Sequence, residues 1–159
     1  MQPVLNHIKR AVIGLSLLGL AFQATAATKV DDAWVRATVP TQSASGAFMT
    51  LTADSDSKLL SVATSVAKIV QIHEMTMNGD VMKMGEVKSV DLPAGKAVKL
   101  DPNGYHVMLM GLTAQLKEGE TVPLTLTVEN AKGEKETIEV KAPVRALTNM
   151  EGHDHSKMH

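Results

Sequence analysis

The stretch IHEMTMNGDVMKMGEV, residues 72–87, alternates methionine or histidine with polar residues on both sides of an Asn-Gly pair. Period two is the signature of a strand, because successive side chains point to opposite faces. His73, Met75 and Met77 therefore share one face, as do Met82 and Met84. A two-residue hairpin turn at Asn78-Gly79 predicts a register in which Met75 faces Met82, Glu74 faces Lys83 and His73 faces Met84. That register offers an opposite-charge pair on one face. On the other it gathers His73, Met75, Met82 and Met84, with opposed Cβ atoms about 4.5–5.5 Å apart.

Working outward, the same short-segment pattern runs from Val30 to about Val144, with turn signals every 8 to 12 residues or so, as in an all-β sandwich or barrel. Strands are predicted over 32–38, 46–52, 59–65, 69–77, 81–87, 97–100, 106–112, 122–129 and 136–140. Asn103-Gly104 and Lys132-Gly133 add turn signals of the same kind as Asn78-Gly79. Helical periodicity is weak, and neither an internal repeat nor a linker divides the chain. One domain over residues 27–149 is expected.

A second cluster, GYHVMLMGL at residues 104–112, puts His106, Met108 and Met110 on one face and Val107 and Leu109 on the other. Imidazole and thioether donors without thiolate or carboxylate select a soft ion, above all Cu(I). Polarizable sulfur gives little to a hard cation such as Mg²⁺ or Ca²⁺. Any single methionine reads more simply as a flexible core filler. The set reads otherwise, since a core built for packing would use Leu, Val and Ile here as the chain does elsewhere. Met49 and Met77 are read as structural. Bound histidine must be neutral, so affinity is expected to fall below about pH 6.5.

The 159 residues include 10 methionines, 6 histidines and no cysteine, with 16 basic and 17 acidic residues. The balanced charge and the four aromatic residues, one Trp, one Tyr and two Phe, leave no footprint for nucleic acid. Without cysteine there is no disulfide, thiol nucleophile, thiolate metal site or blue-copper centre, and no thiol to carry a lipid. No G-x-S-x-G elbow, H-E-x-x-H helix or phosphate loop occurs, so an enzyme is not expected.

Residues 1–26 place Lys9 and Arg10 before an apolar run from Ala11 to Phe22 and an Ala24-Thr25-Ala26 cleavage pattern. This reads as a secretory signal peptide, its run too short to span a bilayer, so the mature chain is expected in the periplasm without stable membrane insertion. Export there would expose a mature start at Ala27 or Thr28 rather than the amino-terminal histidine of a copper monooxygenase. Residues 150–159, MEGHDHSKMH, read as a flexible tail in which His153, His155 and His159 could bind Cu(II).

Ten residues separate His73 from Met84, twenty-one separate Met84 from His106, and one separates His106 from Met108. This spacing resembles the H-x10-M-x21-H-x-M motif of the periplasmic copper chaperones of the PCuAC type. The resemblance extends to DAWVRATVP, with Trp34, Arg36 and Pro40, and to LKEGETVPLTLTVE. It implies a cupredoxin-like Greek-key β-sandwich with His73, Met84, His106 and Met108 as Cu(I) ligands. It also implies copper delivery to the copper centre of cytochrome c oxidase, through oxidase subunit II or a Sco-type protein as acceptor. Met75, Met82 and Met110 fall outside the motif as possible auxiliary residues. Two alternatives remain: a periplasmic copper-buffering or tolerance protein, and a structural β-sandwich that binds other proteins.

Overall fold

The computed structural model describes residues 27–146. The signal segment, the histidine tail and the domain's limit at residue 149 lie outside the described residues. Ten strands form: β1 (Thr28–Arg36), β2 (Ala44–Ala53), β3 (Ser57–Ala63), β4 (Ala67–Asn78), β5 (Val81–Val87), β6 (Val90–Leu92), β7 (Ala97–Leu100), β8 (Tyr105–Leu112), β9 (Thr121–Asn130) and β10 (Lys135–Arg145). The nine predicted strands all appear. The tenth, β6, is three residues long, too short to show a period, but Val90 and Leu92 are fully buried on either side of an exposed Asp91.

The strand order is β5-β4-β8-β7-β2-β1-β10-β9-β3-β6, with β8 also pairing with β2. A two-residue parallel contact, Val35 to Val144 and Arg36 to Arg145, joins β1 to β10 and divides the sheet into halves. Side chains from both halves enter one apolar core. Val35, Leu51, Ile72, Val107 and Leu109 come from one half, and Leu59, Leu92, Leu124, Leu126 and Val128 from the other. The chain crosses between halves after β2, β3, β5, β6 and β8, giving the expected sandwich with Greek-key connections rather than a meander.

Two bulges tune which residues face inward. In β3 the register slips between Leu59 and Ser61, so Leu59 and Val62, three apart, are both buried. In β1 it slips between Asp31 and Trp34, where Asp32 adopts φ 49. Beyond that bulge Val35 enters the core while Trp34 and Arg36 take the outer face.

That outer face carries a smaller cluster. Trp34 packs on Phe48 with ring centroids 4.6 Å apart, and the Arg36 guanidinium lies 5.3 Å from the Phe48 centroid. Gly46, two residues before Phe48 on the same face, makes room for the ring: a Cβ there would come within 2.8 Å of Phe48 Cζ.

Candidate metal centre

Strands β4, β5 and β8 lie side by side at one edge of the sheet, and their registers decide which donors meet. Between β4 and β8, His73 is directly opposite His106 and Gln71 opposite Met108. Between β4 and β5, Met75 faces Met84, Met77 faces Met82, Thr76 faces Lys83 and His73 faces Glu86. This corrects the register expected from an Asn78-Gly79 turn. The turn residues are instead Gly79 and Asp80, with Asn78 paired to Val81. Gly79 has φ 65, so the one residue without a Cβ takes the left-handed first position of a Gly-X turn. The slip is two residues, so every side chain keeps its face, but the expected Glu74–Lys83 and His73–Met84 pairs do not form.

The opposite faces of β4 and β8 supply Ile72, Val107 and Leu109 to the core. The donor face is thus the outer face of the sheet, next to the Trp34–Phe48 cluster. A cleft of about 390 Å³ opens there among Arg36, Phe48, Met75, Met84, His106 and Met108. A larger groove, about 500 Å³, lies far off on the second half around Asp56, Lys58 and Asp91, with neither histidine nor methionine in its lining.

His106 is buried, and its Nε2 stands 3.1 Å from Met84 Sδ. Donor atoms sharing one tetrahedral ion at bonds of about 2.0–2.3 Å sit roughly 3.5 Å apart. The pair is therefore already close to the spacing of two ligands on one ion. The Gly104 carbonyl lies 3.4 Å from His106 Nδ1, and the tautomer donating to it leaves the Nε2 lone pair facing the sulfur. The His73 ring sits edge-on to His106, with centroids 5.9 Å apart.

His73 Nε2 lies 2.9 Å from Gln71 Oε1, an acceptor, so Nε2 carries the proton and Nδ1 the lone pair. That Nδ1 is buried and has no hydrogen-bond partner. An imidazole held by an oxygen on one nitrogen, with its other nitrogen free, is the arrangement of a metal-binding histidine.

The cleft lining holds no carboxylate and one guanidinium, Arg36. Among the described residues no three of His, Cys, Asp and Glu gather as a metal site. The cleft lining itself offers a hard dication no carboxylate, the one opposite His73 being the exposed Glu86, whereas a soft monocation suits imidazole and thioether donors.

The four motif residues thus share one face, with Met84, His106 and Met108 lining the cleft and His73 beside it. Met75 joins them opposite Met84. Met82 lies a step further out, opposite Met77, and Met110, paired with Ile69 and with Ala44 at the cleft's margin, does not line the cleft. Met49 is buried in the core, as expected of a structural residue, but Met77 is 64% exposed and lies outside the core. Phe48 and Gly46 escaped the sequence reading as site residues. Their signal was the same period of two that exposed the methionines.

Residues 28–144 match the family described as "LpqE-like: Putative lipoprotein LpqE-like". The chain belongs to the LpqE-like family. The chain is also 30% identical over 125 residues, 78% of its length and 75% of the relative's, to "Putative lipoprotein Lxx21020" of Leifsonia xyli subsp. xyli (strain CTCB07). This LpqE-like sequence contains no cysteine.

Among solved structures it is similar to CuI-DR1885 from Deinococcus radiodurans, 36% identical, with TM-score 0.60 over 79% of this chain and 83% of that one. The copper-bound PCuAC domain from PmoF2 shares the fold at 24% identity and TM-score 0.58, covering 77% of this chain and 96% of that one. The resemblance to the PCuAC type, and the all-β fold it implies, hold.

Proposed function

We propose that this LpqE-like protein is an exported copper chaperone that carries Cu(I) on His73, Met84, His106 and Met108 and hands it to an acceptor protein. The observation that carries the reading is the placing of two imidazole nitrogens. His106 Nε2 faces Met84 Sδ at 3.1 Å, and His73 Nδ1 is buried without a partner on the same face. A copper-loaded relative at 36% identity and the cleft's lack of carboxylate support the same ion.

Carriage differs from permanent binding in how the ion leaves. All four donors are neutral, so the charge of Cu(I) is left uncompensated, and an incoming thiolate or imidazole on an acceptor gains by joining it. Met84, 52% exposed, is the donor such a ligand reaches first. Ligand exchange then proceeds with one bond forming as another breaks, and copper stays Cu(I). The chemistry of this face is transport rather than catalysis. The copper centre of cytochrome c oxidase, reached directly or through a Sco-type protein, is the acceptor we favour over simple buffering. The signal-like residues 1–26 and the lipoprotein name of the Leifsonia relative support export to the periplasm. His153, His155 and His159 would add a Cu(II) site; truncation after Asn149 should then lower Cu(II) stoichiometry, and an unchanged value would refute it.

Competition against a chromogenic Cu(I) chelator tests the ligand set. Met84→Leu, Met108→Leu and His106→Ala should each lose more affinity than the roughly 10- to 100-fold that removal of a supporting partner costs a metal site. Met84→Leu should leave stability within about 0.5 kcal/mol, as for other exposed substitutions. Three variants that bind Cu(I) like the parent would remove the assignment. Transfer from the loaded protein to the apo copper domain of an oxidase subunit separates delivery from buffering.

A further inference from the structure

The hairpin of β4 and β5 presents more sulfur than the four-residue site uses. Met77 faces Met82 and Met75 faces Met84 across the two strands, all on the face that carries His73 and His106. Directly opposed Cβ atoms lie about 4.5–5.5 Å apart, so each pair brings two thioethers within reach of one ion. Successive pairs along a strand are spaced by two residues, roughly 6.8 Å. The four side chains form a block two wide and two deep, whose inner row touches His106 through Met84.

Packing does not account for the outer row. Met77 is 64% exposed and Met82 55%, and neither contributes to the core, where Met49 is the buried methionine. Strand propensity does not account for it either, since β-branched and aromatic residues are favoured at exposed strand positions. The property methionine adds is a soft, neutral, polarizable donor.

We propose that Met77 and Met82 form an outer, weaker thioether site for Cu(I), which loads and unloads the inner site through Met75 and Met84. This rests on the copper-carrier reading and deepens it by giving the ion a path. With two or three neutral sulfur ligands and no imidazole, the outer site binds less tightly than the inner one. An ion arriving there passes inward by exchanging one sulfur ligand for another. Met84, in the inner row, lies two residues along β5 from Met82, so the ion passes between neighbouring sulfurs without returning to water, and no oxidant or reductant is consumed.

The test uses the whole chain, Ag(I) as an air-stable stand-in for Cu(I), and the NMR signals of the methionine methyl groups. The first equivalent should shift Met84 and Met108, and the second Met77 and Met82. The Met77→Leu, Met82→Leu double variant should keep the inner site's affinity. Its Cu(I) uptake from a small chelator complex should slow by roughly tenfold, the factor attached to each 1.4 kcal/mol or so of barrier. Shifts at Met84 and Met108 with none at Met77 and Met82 would overturn the outer site while upholding copper carriage. No shift at any of the four would overturn both. Parental uptake from the chelator, with transfer from a protein donor impaired, would make the outer row a docking surface and overturn its role as a metal site.

Discussion

Gly46→Ala should damage the donor face without touching a donor. The new Cβ would sit 2.8 Å from Phe48 Cζ, whereas ordinary contacts of this kind begin near 3.4 Å, so the ring must retreat by more than half an ångström. It has little room. Phe48 is 4% exposed, Trp34 lies 4.6 Å from it on one side, and the Arg36 guanidinium lies 5.3 Å away. Forcing an extra carbon into such a site costs about 1–3 kcal/mol. For the 120 described residues that is a fall in Tm of roughly 4–12 °C.

Because Gly46 is the partner of Met108 across β2 and β8, the displaced ring also disturbs the cleft, and Cu(I) affinity should fall with stability. Trp34 is the sole tryptophan, so its fluorescence reports the repacking directly. Thermal denaturation, emission spectra and chelator competition on one variant suffice. A variant with parental Tm and an unshifted emission spectrum would refute the packing argument. Parental Cu(I) affinity despite a lowered Tm would refute the link between the aromatic cluster and the cleft.

Asp32, at φ 49 in the β1 bulge, is exposed and pairs with Arg145 at 3.2 Å. Urea denaturation should show Asp32→Gly within about 0.5 kcal/mol of the parent, because glycine relieves the backbone as the weak surface pair is lost. Asp32→Val should cost about 1–2 kcal/mol from a β-branched residue at positive φ. Equal effects would exclude backbone strain as the cause. Tyr105 should titrate above the usual phenol value of about 10, since burial and then the opposed Glu74 carboxylate both disfavour phenolate. Its contribution to stability is present below the unfolded phenol's pKa and lost as pH rises through the higher folded value. It is the sole tyrosine, so phenolate absorbance follows it directly. Glu74→Gln should lower the midpoint, and an unmoved midpoint would exclude the carboxylate's part.

The face of each site residue was legible from period two alone, because strand alternation is insensitive to where a hairpin turns. Its partner was not. Asn78-Gly79 and Gly79-Asp80 are both acceptable two-residue turns, and they differ by a slip of two residues that preserves every face while changing every pair. The first choice also offered a Glu74–Lys83 attraction, but an exposed pair of this kind is too weak to hold a register against the pairing of β4 with β8. β6 was invisible because Val90 and Leu92 are too few to establish a period. The bulge at Leu59–Ser61 likewise breaks the alternation from which the inward residues would be read. The place of Gly46 and Phe48 beside the donors depends on how β2 lies against β8, where Gly46 pairs with Met108, a contact between distant parts of the chain that no local pattern encodes.

The donor face is the outer side of strands whose inner side is the core, so consecutive residues answer to different selection. Ile72, Val107 and Leu109 are constrained by the fold, while His73, His106, Met108 and the hairpin methionines alternate with them and, under the copper-carrier proposal, are constrained by the ion. A lineage could exchange thioether for imidazole, or add a donor, one position at a time without renegotiating the interior. Such a sheet is an evolvable frame for metal preference, on which new specificities can arise by changing every second letter.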